Sequence, residues 1–210
     1  MMNRQSIFSS IKPSQDSRSI RTRGFTLVEL LVAMAVGAIV LTAIYSVYGG
    51  LTRSYTTQNV TADMQQVVRA GIDFMVEDII RAGLNPQEAA GIGIATATST
   101  SIRFTADRNM NGTIDAGNSE DITYLYDTAI NRLDQFLDGA DRQPFIDNVT
   151  SMTFMYLDAD GNDLGDPVAS ADLDDIRTIV ISITVQEPAG RQGLISRTYS
   201  THFRCRNLGI

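Results

Sequence analysis

From Phe25 to Tyr48 the chain reads FTLVELLVAMAVGAIVLTAIYSVY, an apolar run with one carboxylate, Glu29. A run of about 24 residues makes roughly 36 Å of helix at about 1.5 Å per residue. That exceeds the roughly 30 Å hydrocarbon layer of a bilayer. Residues 1–24 carry Arg4, Lys12, Arg18, Arg21 and Arg23 against Asp16, a net of +4. The whole chain is at −7, so the remainder carries −7 − 4 = −11. A basic flank stays in the cytoplasm, which puts the acidic remainder across the membrane. A secretory signal would have a shorter apolar core and a small-residue cleavage site. Ala33-Met34-Ala35 mimics such a site, but the apolar run continues well past it. A plain anchor explains the length and the flank but not Glu29, because acids inside a membrane are costly and mark function.

The stretch RGFTLVELLVAMAVGAIVLTA resembles the N-terminus of type IV prepilins and pseudopilins. The resemblance implies that a prepilin peptidase cuts after Gly24 and methylates the new N-terminal residue, Phe25. Glu29 then stands fifth in the mature chain, where this family has its glutamate. Cleavage exposes an amine at Phe25, and the Glu29 carboxylate of a neighbouring subunit can pair with it. Either charge alone is expensive in a low dielectric, so pairing favours docking at one axial register. One departure is the leader, 24 residues long here and often shorter in pilins.

Beyond the polar segment LTRSYTTQN, Met64, Val68, Ile72, Met75, Ile79 and Ala82 recur at steps of three and four. This is one apolar stripe on a continuing helix. Gln65, Arg69, Asp73, Glu77 and Arg81 lie mostly off it. Arg81 complements the C-terminal dipole, Gly83 suits a left-handed cap and Pro86 blocks continuation. Gly49 and Gly50 predict a bend or local melting. Further on, apolar residues alternate at Ile102–Ala106, Ile122–Tyr126, Met152–Tyr156, Ile179–Val185 and Tyr199–Phe203, separated by turn-rich stretches. That period of two predicts strands and an antiparallel sheet lying against the amphipathic half-helix.

The expected fold class is therefore α+β, a long N-terminal helix packed on an antiparallel β-sheet head. The expected division is a cleaved leader at 1–24, a transmembrane half-helix at 25–48, an amphipathic half at 49–83 and a β-rich head at 84–210. This layout resembles PilW-type minor pilins and the related pseudopilin J of type II secretion, and MVEDIIRAGLNP resembles their helix end. The resemblance implies a structural subunit that takes part in pilus assembly or priming near the tip. Its implied partners are prepilin peptidase, other minor and major pilins, the inner-membrane assembly platform and a tip adhesin. It implies a single-pass inner-membrane precursor with a periplasmic head, then a place in the pilus at the cell surface. A type II secretion pseudopilin is the alternative, and a membrane-anchored periplasmic binding protein or enzyme a third class.

Net charge argues against a nucleic-acid partner. One cysteine, Cys205, and one histidine, His202, give no internal disulfide and no His/Cys metal cluster. An enzyme would need a nucleophile and a base. Ser200 lies two residues from His202 on one strand face, but no nucleophile elbow or phosphate loop accompanies them, so no enzyme activity is expected. The stretch DRNMNGTID resembles the first nine positions of an EF-hand loop. Asp107, Asn109 and Asn111 stand at positions 1, 3 and 5, Gly112 at the sharp turn, and the Thr113 carbonyl and Asp115 at 7 and 9. Position 12 is Asn118 where a bidentate Glu is expected, and Glu120 or Asp121 can substitute only along a different loop path. Calcium and a bare Asx/Gly turn both remain open. In DADGND, Asp163 replaces the required glycine, which predicts a hairpin turn. Asp172, Asp174 and Asp175 predict a solvated loop.

Overall fold

A computed structural model describes residues 24–189 and 193–208; the leader expected at 1–24 lies, but for Gly24, outside that range. The elements in chain order are α1 (Leu27–Ile80), β1 (Ile94–Ala97), β2 (Ser101–Thr105), β3 (Asp121–Asp127), β4 (Arg132–Leu137), β5 (Gln143–Ile146), β6 (Val149–Leu157), β7 (Thr178–Pro188) and β8 (Leu194–Arg204). The α+β class expected from the sequence holds. Two compact units divide after Tyr48.

In the first unit the helix carries its apolar side chains outward, with Phe25, Leu27 and Tyr45 between 75% and 79% exposed. An 18-residue window of α1 reaches a mean hydropathy of 2.5 with none of it buried, so the helix is long and apolar enough to cross a membrane. The helix assignment runs through Gly49 and Gly50, so the local melting expected there is absent.

In the second unit the apolar stripe is the buried face: Met64, Val68, Ile72, Met75, Ile79 and Ala82 are all 7% exposed or less. The helix ends at Ile80 and a turn follows. Gly83 takes φ +75° and donates its N–H to the Thr105 carbonyl at 3.0 Å. A Cβ there would meet the Asn207 carbonyl oxygen at 2.8 Å, so glycine is needed for space as well as for φ. Arg81 lies just past the last turn and pairs with Glu77 at 2.5 Å.

One antiparallel sheet was expected and two are found, ordered β1-β2-β3-β4-β5 and β6-β7-β8. Both contribute to one core with the helix stripe, through residues such as Ile102, Phe104, Tyr124, Leu133, Phe154, Tyr156, Ile181 and Ile183. The β1–β2 turn joins the sheets. Phe154 N–H donates to the Ser99 carbonyl at 2.8 Å, and the Tyr156 hydroxyl donates to Thr98 O at 2.9 Å. This turn covers one edge of the three-stranded sheet, and the other edge is β8.

Candidate functional site

The N-terminal site is built on the start of α1. Gly24, Phe25 and Thr26 are not helical and are exposed, so the Gly24–Phe25 bond lies outside α1. Thr26 caps the helix: its Oγ1 accepts the Glu29 N–H at 3.2 Å, and its carbonyl accepts the Leu30 N–H at 3.1 Å. Thr-Leu-Val-Glu thus has the spacing of a capping box. Glu29 sits in the first turn, where the helix dipole favours a negative charge. This local role for Thr26 and Glu29 is absent from the sequence reading above, although the T-x-x-E spacing was there to find.

The head loop is a separate construction. Asp107 is fully buried, and its carboxylate accepts the Asn111 N–H at 3.1 Å and the Gly112 N–H at 2.8 Å. Glu120, 1% exposed, turns inward and accepts the N–H groups of Arg108, Asn109 and Asp115 at 3.0, 3.1 and 2.8 Å. Asp115 accepts the side-chain amides of Asn109 and Asn111 at 3.0 and 2.6 Å. Those two amides hold its carboxyl below the usual aspartate range. Asn111 Oδ1 accepts the Thr113 N–H at 2.9 Å. The loop therefore gathers Asp107, Asn109, Asn111, Thr113 and Asp115, and it brings Glu120 in along a path other than that of an EF-hand. Asp121 faces Arg103 instead, at 3.0 and 2.6 Å. Among the described residues no three His, Cys, Asp or Glu side chains gather in a metal-binding group. Cation ligation would require the Asn109 and Asn111 amides to present oxygen rather than N–H.

Two carboxylates around this loop escaped the sequence reading. Asp138 accepts four backbone N–H groups, from Gly117, Ser119, Glu120 and Asp121, at 2.7 to 3.0 Å. Burial alone would raise its pKa, but the four donors outweigh that and hold it below the ordinary value. Asp78 on α1 accepts Arg108 at 2.6 Å and the Tyr124 hydroxyl at 2.9 Å, which ties the helix to β3 and to the loop.

The remaining candidates are quickly placed. Asp158 accepts the N–H groups of Asp160 and Asn162 at 2.9 and 2.8 Å, which closes the expected turn. Leu173–Asp175 form a short 3-10 turn. His202 and Ser200 stand exposed on β8, opposite Val180 and Ser182. Cys205 is buried, and burial pushes its thiol up to about 11, which makes it a poor nucleophile.

Residues 20–45 match the family model of the prokaryotic N-terminal methylation motif. The match starts four residues before Gly24, spans Gly24, Phe25 and Glu29, and ends within α1. It supports a type IV pilin-like or pseudopilin precursor, and with the fold it points to a structural protein. No curated protein matches this chain.

Proposed function

We propose that this chain is a minor type IV pilin, cut by prepilin peptidase between Gly24 and Phe25 and methylated on Phe25. The observation that carries the reading is the methylation motif lying on an exposed, unhelical Gly24–Thr26 segment that leads into an apolar helix. The mature amine at Phe25 pairs with Glu29 of a neighbouring subunit as the helices leave the membrane, and the cost of an unpaired charge in hydrocarbon selects the register. The precursor spans the inner membrane once with its head in the periplasm. Its partners are other pilins and the assembly platform, and a tip adhesin fits a priming role. The division at 24, 48 and 83 follows from the same reading.

The test is intact-mass analysis of the membrane-extracted protein, with piliation and secretion both scored after deletion of the gene. A mature chain starting at methylated Phe25, with pili lost and secretion kept, is expected. An uncleaved chain overturns the processing. Normal pili with lost secretion turns the assignment to a type II secretion pseudopilin, whose motif is the same.

We propose further that the Asp107–Glu120 loop takes calcium. Support comes from the gathering of Asp107, Asn109, Asn111, Thr113 and Asp115 into one loop, the same residues that occupy the EF-hand positions in the sequence.

A further inference from the structure

We propose that β8 is a docking edge, to which an extended acidic segment of another protein adds as a further strand. The proposal does not depend on the pilus reading. The three-stranded sheet ends on β8, which pairs with β7 over eleven consecutive positions without a bulge. Which backbone groups face outward follows from the bonds just beyond the two ends of that pairing. Ala189 N–H donates to Gly193 O, and Cys205 N–H donates to Arg177 O. Odd-numbered residues of β8 therefore face β7, and even-numbered ones point their N–H and C=O groups away, since these alternate along a strand. From Thr198 to Arg204 those outward groups have no partner among the described residues.

Edges of this kind are normally guarded by shortness, proline, bulges or charge. The outer strands of the larger sheet follow that rule: β1 and β5 have four residues each, and β5 contains Pro144. The opposite edge of the small sheet is covered where Phe154 N–H meets Ser99 O. By contrast β8 has eleven residues, no proline and no bulge, and its guard is the positive charge of Arg197 and Arg204, which bars a like-charged strand but not an acidic one.

Charge selects the occupant. Leu194 to Leu208 contain Arg197, Arg204, Arg206 and His202 and no carboxylate, in a chain of net charge −7. Arg197, Arg204 and Arg206 are exposed, and none of the three is in an ion pair among the described residues, whereas Arg81, Arg103, Arg108, Arg132 and Arg142 all are. Two copies laid edge to edge would bring two arginines from each strand into one ribbon with no acid, with Arg206 just beyond it, and like charges across strands repel. An acidic strand pairs with the same edge through main-chain hydrogen bonds and gains the arginines as counter-charges.

The experiment pans a phage-displayed library of random eleven-residue peptides on the detergent-solubilised full chain, with Ser200→Pro as the counter-target. Proline at this even-numbered position removes an outward N–H and leaves the β7–β8 ladder intact, and thermal melting checks the fold. A second variant, Arg204→Glu with Arg206→Glu, reverses the charge without touching the backbone. Expected are clones rich in Asp, Glu and β-branched residues that bind Ser200→Pro at least tenfold more weakly, while the double variant loses acidic clones and gains basic ones. Clones that bind wild type and Ser200→Pro equally, or no enrichment on wild type, overturn the proposal. Enrichment of basic clones on wild type overturns the choice of occupant. So does a dimer in sedimentation that Ser200→Pro dissociates, because it would make the occupant a second copy.

Discussion

Thr26 and Glu29 open the helix, and on the proposed reading Glu29 also carries the charge that recruits a neighbour. Substitution can separate the two roles. Gln at the third helical position keeps the capping geometry but loses the charge. Glu29→Gln should therefore leave insertion and cleavage intact and reduce co-purification with other pilins roughly tenfold, the factor that about 1.4 kcal/mol supplies. Undiminished co-purification from membrane extracts would mean that the side chain serves the helix alone. A second residue-scale case is Gly71, on the buried helix face. A Cβ there would meet Ile146 Cδ1 at 2.6 Å and Cγ1 at 3.0 Å. Gly71→Val should overpack this contact between α1 and β5 and cost about 1–3 kcal/mol, read as a lower denaturant midpoint. A midpoint at or above wild type would show that Ile146 simply moves aside.

At the scale of elements, the Asp107–Glu120 loop is closed by carboxylates that accept backbone N–H groups. Asp138 holds four such donors, so Asp138→Ala should destabilise the head by about 1–3 kcal/mol, seen as an earlier thermal transition. Calcium is a separate question, settled by melting the full chain in detergent with millimolar calcium and with chelator. If the loop binds, mass action at a hundredfold excess over the dissociation constant adds about 2.7 kcal/mol, and Asp107→Ala with Asp115→Ala removes the shift. Superimposable curves would leave a turn held by its own hydrogen bonds. The helix stripe was legible because its side chains repeat at the helical period and every one of them is buried. Strands β2, β3, β6, β7 and β8 were legible from alternation. In β4, Leu133 and Asp134 are both buried, and Asp134 is held by Arg132 at 2.6 Å and by Arg142. A paired buried charge next to a buried leucine breaks the alternating pattern. β1 is four residues of IATA, with too little bulk to stand out, and Pro144 obscures β5. The split into two sheets depends on which distant strands pair, and local periodicity does not encode that. At the N-terminal site Gly24, Phe25 and Glu29 were legible because their spacing is a motif, whereas Asp138 was not, because its four donors meet it only through the β3–β4 pairing.

At the scale of the molecule, the head is acidic and many of its carboxylates are engaged, and this fixes how its stability responds to pH. Asp115 is held below the ordinary value by the Asn109 and Asn111 amides, Asp127 by Arg142, Asp158 by Asn162 and Asp166 by Ser99. Asp138 is lowered as well, its four backbone donors outweighing burial. All five have folded pKa values below those of the unfolded chain. Above an ordinary aspartate value of about 3.9 they are ionised in both states and their contribution is fully present. As pH falls through that value the unfolded chain takes up protons first, so stability is lost progressively until the lowered folded values are passed. Denaturant midpoints should therefore stay level from about pH 7 to about pH 5 and fall steeply below about pH 4. All five are exposed or half-buried, so added salt should soften the fall by screening. Midpoints that hold steady down to pH 3 would show that these hydrogen bonds are equally available to the unfolded chain, and a fall unchanged by salt would show that screening does not reach them.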